Sequence, residues 1–272
     1  MDNSFSVLIS VYFNDNPNFL FQSLSSVLSQ TLMPSQIVLV KDGCLTTELD
    51  IIIENFVIVN DNIFDIVSLQ ENVGLAKALN EGLKKCKNDI VFRMDSDDIC
   101  YSNRFEVQLL FLHQNPNISV LGCSVNEFND IPGDLQRFRK LPEKSEELIK
   151  FAKYRSPLNH PSVAFRKNAI LDVGCYKHMP LLEDYYLWIL LIKKGYNLYN
   201  LQEPLLHFRV GNDMVGRRHG FSYLKKEHHF LKSILKIGFI SYSQYLISVV
   251  VKFPLRLLPK KWLRIFYKKV LR

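Results

Sequence analysis

The chain has 272 residues, 47% hydrophobic and 22% charged, which supplies a packed core and excludes a disordered or collagen-like polymer. The formal net charge is +7, yet residues 252–272 hold eight Lys or Arg and no acid, so the remainder is close to neutral and offers no basic surface for nucleic acid. Five cysteines, odd in number and without C-x-x-C spacing, exclude a disulfide framework and a thiolate zinc site and suit a reducing cytosol.

The N-terminus runs into a strand-like segment at 5–13 without the basic start and apolar stretch of a signal peptide, so export is not expected. Strand-like runs follow at 36–41, 64–69, 89–94 and 118–123. Helix-like segments lie between them at 17–30, with Pro at its first turn, and at 45–55, 75–86 and 103–114, the last closed by Pro116. This alternation predicts an α/β, Rossmann-like, mostly parallel sheet with flanking helices. From about residue 130 the rhythm changes: a helix at 145–153, short strands at 162–166 and 205–210, and a largely apolar helix at 183–194 stopped by Gly195. These segments are expected to complete the sheet and build the second wall of a cleft. The most apolar stretch, 237–251, is shorter than the roughly 20 residues of a membrane span and carries four polar side chains.

Three carboxylates, Asp95, Asp97 and Asp98, fall within four positions directly after an apolar strand. In an open α/β sheet ligands bind outside the carboxyl ends of strands, and crowded carboxylates are commonly held ionised by Mg²⁺ or Mn²⁺, which favour oxygen ligands. The same residues also read as an acidic cap on the following helix. Asp42-Gly43 ends another apolar strand and is either a hydrogen-bond acceptor for a base or ribose or an ordinary turn. Glu183-Asp184 opens a helix, as a cap or as a general base at the cleft edge. Arg209, Arg217, Arg218 and His219 flank a Gly-containing stretch that suits either phosphate contact or a solvated basic loop.

The segments at 6–12, 26–31, Lys41-Asp42-Gly43, 72–80, 95–98, Asn159-His160-Pro161 and Glu183-Asp184 together resemble, in order and spacing over residues 4 to 219, glycosyltransferase family 2. The resemblance is to inverting enzymes of GT-A fold, especially those assembling bacterial surface polysaccharides such as O-antigen, capsule or exopolysaccharide. It implies a UDP-sugar donor carrying a hexose such as glucose or galactose, or an N-acetylhexosamine. It also implies a polyprenyl-diphosphate-linked saccharide acceptor and work at the cytoplasmic face of the inner membrane. By the same resemblance Asp42 contacts uracil, Asp95 and Asp97 form the D-x-D that holds Mn²⁺ or Mg²⁺ on the diphosphate, and Asp184 is the base, with Glu183 second. Lys77 and Arg93 line the donor side, and Arg217, Arg218 and His219 belong to the loop that closes on the pyrophosphate. Lys41 stands where family members often carry a first Asp. The implied division is a catalytic domain at 1–220, with a nucleotide-sugar half at 1–125 and an acceptor half at 126–220, followed by a basic amphipathic helical extension at 221–272.

Two other classes remain open on the residues alone. A sugar nucleotidyltransferase shares the need for nucleotide and metal, but no Gly-rich phosphate loop opens the first helix. A polysaccharide-binding scaffold without turnover would not need the full acidic set at 42, 95, 97 and 184. A processive synthase would show Q-x-x-R-W and multiple spans, and neither is present. In the last 21 residues, aromatic and aliphatic side chains alternate with Lys and Arg, which suits an anionic leaflet; the competing expectation is a helix pair packed on the catalytic domain.

Overall fold

The computed structural model describes residues 3–210 and 219–258. Nine strands form one sheet among the described residues, with β1 (Ser6–Val11) between two parallel neighbours, β2 (Gln36–Lys41) and β4 (Ile90–Met94). Beyond β2 lies β3 (Phe64–Ser68), also parallel. The chain thus moves outward from β1 and returns to its other side, leaving a crevice beyond the carboxyl ends of β1 and β4, where α/β proteins bind ligands.

On the far side of β4 the sheet becomes mixed. A short antiparallel β8 (Ala164–Arg166) separates β4 from β6 (Ile118–Phe128), so the fifth predicted strand does not continue the parallel order. Next to β6 run β9 (Asn197–Arg209), parallel to it, and β7 (Arg137–Arg139), antiparallel; the two-residue β5 (Ile99–Cys100) closes the edge against β9. Both β6 and β9 exceed their predicted lengths. Every residue of β6 is buried, including Ser124, Asn126 and Glu127, whose polarity hid the strand's second half. Glu127 is tolerated there because Arg137 and Arg139 reach over it from β7.

Alternation along β1 sends Val7, Ile9 and Val11 to one face and Leu8 to the other, each wholly buried. The first face packs under α1 (Pro17–Leu28), α2 (Thr47–Val59) and α4 (Arg104–Gln114). The second lies under α3 (Leu75–Lys85), α6 (Lys167–Asp172) and α7 (Glu183–Lys194). Gly82 lets α3 sit directly on the sheet: a Cβ there would lie 2.6 Å from the Val40 side chain. The predicted α7 agrees residue for residue, ended by Gly195 in the left-handed region with Gly195 N–H and Tyr196 N–H donating back to Ile192 and Leu191 carbonyls.

The C-terminal segment is a helical hairpin, α8 (Gly220–Lys236) and α9 (Tyr242–Leu257), the latter opened by a Ser241–Gln244 capping box. Phe230, Leu231, Ile234 and Ile240 pack on Tyr185 and Ile189 of α7. Lys252 and Arg256, counted with the basic tail in the sequence, turn inward: Glu227 of α8 is buried and accepts from Arg256 at 2.7 and 3.0 Å, with Lys252 at 3.6 Å. The observed helix pair spans 220–257 and takes in only the start of the segment 252–272 for which a pair was expected; residues 259–272 lie outside the described residues, as do Arg217 and Arg218.

Candidate active site

The crevice is lined by the loops that leave the carboxyl ends of the strands. After β2, Asp42 is buried, and its carboxylate accepts from Val73 N–H at 2.8 Å, Gly74 N–H at 3.1 Å and the Asn72 amide at 3.2 Å. It therefore fixes the loop entering α3 and keeps one of about four acceptor sites for a ligand. Lys41, in place of a first Asp, points to Asp50 on α2 at 2.5 Å. Lys77 is exposed in the first turn of α3.

After β4 the chain makes the acidic turn. Carboxylate oxygens of Asp95, Asp97 and Asp98 lie within 4.8 Å of one another. Burial, with Asp95 and Asp15 beside it, raises Asp97 to about 7. Asp98 is raised well above the usual carboxylate range by burial and by its two neighbours; one of its oxygens accepts from Arg209 N–H at 2.8 Å and the other is buried without a hydrogen bond. Crowded anions with an unsatisfied inward oxygen are a donor set for a hard divalent cation, and the three residues fit one. Arg93 is buried behind the turn and ion-paired to Asp95, so it acts on the crevice through that carboxylate.

Arg209 holds this turn in place. Its Nε donates to the Asp97 carbonyl at 2.9 Å, one Nη to Asn129 O at 2.8 Å and the other to Gln22 Oε1 at 2.7 Å, and its guanidinium lies 3.8 Å from the Phe19 ring centre. The phosphate-contact option raised for Arg209 is thus replaced by a clamp within the protein. His219, expected in the closing loop, has its ring at 2.8 Å from the Leu258 carbonyl at the end of α9.

Across the crevice α7 begins with Glu183 and Asp184. Burial, reinforced by the neighbouring Asp184 charge, raises Glu183 to about 7 even though backbone N–H groups at the helix start stabilise its anion. Between the acidic turn and α7 sits Tyr176, whose hydroxyl feels the charges of Arg93, Asp184 and Asp95 and is pushed up by burial. Asn80 of α3 grips the Tyr176 backbone on both sides, donating to its carbonyl at 2.9 Å and accepting from its N–H at 3.0 Å. His160 Nε2 lies 2.9 Å from the Tyr176 hydroxyl, and burial beside Arg93 holds the imidazole well below its usual range, hence neutral.

Asp95 and Asp184 thus both act on one residue, Tyr176, that the sequence motifs did not single out. Asn80 and His160 were visible only as parts of motifs. Asp15, in the turn four residues beyond β1, was also missed: it accepts from Ser96 Oγ at 2.8 Å and is raised to about 6 by burial despite that hydrogen bond. The rule that chose Asp42 and Asp95, a carboxylate directly after a strand, does not reach Asp15, which follows β1 only after a turn.

The family model described as Glycosyl transferase family 2 matches residues 6–178, more than half of the chain. The UDP-Gal:alpha-D-GlcNAc-diphosphoundecaprenol beta-1,3-galactosyltransferase of Escherichia coli is 38% identical over 272 residues, covering 98% of this chain and 96% of that protein. The amylovoran biosynthesis glycosyltransferase AmsE of Erwinia amylovora is 38% identical, covering 97% and 98%. Among solved structures, S. aureus TarS 1-349 in complex with UDP-GlcNAc superposes with a TM-score of 0.65 at 18% identity, covering 85% of this chain and 66% of that one. The mannosyltransferase PcManGT from Pyrobaculum calidifontis, in complex with GDP-Man and Mn2+, gives 0.63 at 14% identity, covering 97% and 79%. At such identities the structures speak for the GT-A fold alone, whereas the matched model and the end-to-end relatives decide the family: the chain belongs to glycosyl transferase family 2.

Proposed function

We propose that this glycosyltransferase inverts configuration while moving a hexose or N-acetylhexosamine from a UDP-sugar to a polyprenyl-diphosphate-linked saccharide in bacterial surface polysaccharide assembly. The observation that carries the reading is the meeting of an acidic turn after β4 with a carboxylate pair opening α7, joined through Tyr176. End-to-end similarity to a galactosyltransferase whose name specifies a GlcNAc-diphosphoundecaprenol acceptor supports the substrate classes.

In this mechanism residues 1–125 bind the nucleotide-sugar and 126–220 the acceptor. Asp42 offers its remaining acceptor site to the uracil, Lys77 lines the donor side, and Arg217, Arg218 and His219 belong to the segment that covers the pyrophosphate. Asp95 and Asp97, with Asp98, would hold Mn²⁺ or Mg²⁺, which when bound supplies positive charge beside the departing diphosphate. Asp184 takes the proton from the acceptor hydroxyl as its oxygen attacks the anomeric carbon from the face opposite UDP. One displacement then breaks the sugar–phosphate bond without a covalent enzyme intermediate. Arg93 keeps Asp95 oriented, and the Asn80–Tyr176–His160 group fixes the distance between that carboxylate and α7.

The protein is proposed to work at the cytoplasmic face of the inner membrane. Among the described residues no helix is long and apolar enough to cross a membrane, but α9 leaves Tyr242, Ile247, Val250 and Val251 more than half exposed, and the six Lys or Arg of 259–272 follow it directly. The deciding experiment supplies UDP-glucose, UDP-galactose and their N-acetyl forms with an N-acetylglucosamine diphosphate ester, with and without Mn²⁺, and reads products by mass spectrometry and linkage by NMR. Transfer from one donor with inversion is expected; release of pyrophosphate from nucleoside triphosphate and sugar phosphate instead would make the protein a nucleotidyltransferase.

A further inference from the structure

A cavity of about 280 Å³ opens where the loop before α7 meets α8. Four basic side chains, His178, Lys225, Lys226 and His229, rim a floor that includes Met179 and Phe230, and no acidic residue lines it. Lys225 and His229 are one helical turn apart on α8, so they present the same face, and Lys226 lies beside them. None of the four is ion-paired with a carboxylate among the described residues, whereas Glu227 of the same helix is fully taken by Arg256 and Lys252 on the other side. The cavity therefore sets two lysine ammonium groups and two histidine N–H donors beside an apolar base, a combination that suits a multiply charged oxyanion attached to an apolar chain.

Its place in the fold narrows the ligand. Leu182 also lines the cavity, and it is the residue immediately before Glu183 and Asp184. An acceptor hydroxyl presented to Asp184 belongs to a sugar whose anomeric carbon is one ring away, and in a lipid-linked acceptor that carbon carries the diphosphate. The hairpin partner of α8, α9, leaves Tyr242, Ile247, Val250 and Val251 exposed, apolar surface on the same hairpin that supplies Lys225 and Lys226.

We propose that this cavity is the subsite for the diphosphate of the lipid-linked acceptor, with Lys225 and Lys226 meeting the phosphate oxygens and His178 and His229 completing the rim. The inference rests on the proposed acceptor class. The test compares wild type with the Lys225→Ala/Lys226→Ala double variant on two detergent-dispersed acceptors, decyl N-acetylglucosamine diphosphate and the decyl N-acetylglucosaminide that lacks the diphosphate. KM for the diphosphate acceptor should rise about tenfold or more, with kcat and the KM for UDP-sugar unchanged, and the Lys225→Arg/Lys226→Arg variant should recover most of the loss. An unchanged KM, or an equal rise for the diphosphate-free acceptor, overturns the assignment. So does a variant that loses binding to phosphatidylglycerol vesicles while keeping its KM for the dispersed diphosphate, since the occupant would then be a phospholipid headgroup. Should wild type hydrolyse UDP-sugar yet glycosylate neither acceptor, the acceptor class is what fails. Calorimetric titration of decyl diphosphate alone then judges the cavity: weaker binding by the double variant upholds it, and equal binding removes it.

Discussion

Asp97, Asp184 and Glu183 are three carboxylates on which the structure places different demands. Asp97 sits among like charges, so Asp97→Asn should abolish metal-stimulated transfer while making the protein more stable in chelator, by about 1 kcal/mol in denaturant titrations at pH 7.5. Loss of stability in chelator would mean that the carboxylate is a structural partner. Asp184→Asn keeps the shape and cannot accept a proton, so single-turnover transfer should fall by about 10²- to 10⁴-fold with UDP-sugar affinity unchanged; collapse of donor binding would reduce Asp184 to a helix cap. Glu183 has a folded pKa raised from 4.5 to about 7. Between those values the folded state binds the proton more tightly than the unfolded chain, so stability falls as pH climbs through that window and levels off above it. Glu183→Gln should flatten the slope, removing about 1 to 3 kcal/mol of the difference between pH 4.5 and pH 7.5 in urea unfolding. At this scale the sequence revealed the acids that follow apolar runs or open a helix. It did not reveal Tyr176 or Asp15, because a buried tyrosine gains its role from what three separate elements bring to it, and Asp15 lies in a turn beyond the strand read at 5–13.

Among the elements, α3 depends most sharply on one side chain's absence. Gly82→Ala would drive a methyl group into Leu8 and Val40, two wholly buried sheet residues, and should cost about 1 to 3 kcal/mol in unfolding free energy despite the better helix propensity of alanine. A neutral result would show that α3 can lift from the sheet. Helices bounded by strong stop signals were legible to the residue, as α7 before Gly195 shows. Strands were legible only where their faces stayed apolar. Ser124, Asn126 and Glu127 concealed half of β6, and Pro204 concealed the first part of β9, which passes it where the pairing register shifts.

For the whole molecule, the parallel pairing of the first four strands followed from the alternation of strand-like and helix-like runs, but the insertion of antiparallel β8 did not, since strand order is decided by tertiary pairing. The segment from 252 onward was read from its own basic and apolar residues, which overlooked the buried Glu227 that turns two of its cations inward. Because α8 and α9 cover α7, a membrane test has to spare them. Removal of residues 259–272 should leave thermal stability and activity on a short-chain acceptor nearly intact while weakening binding to anionic vesicles at low salt by about 1 kcal/mol per cation lost near the surface. Equal vesicle binding by the two proteins would free that segment of the anchoring role. The Arg209 clamp has a consequence for biosynthesis. The acidic turn at 95–98 is held by a residue made more than a hundred positions later, so a nascent chain on the ribosome carries those carboxylates long before their clamp exists. On the proposed roles, competence to capture a nucleotide-sugar is expected only once β9 has paired beside β6, by which point α7 has already been made.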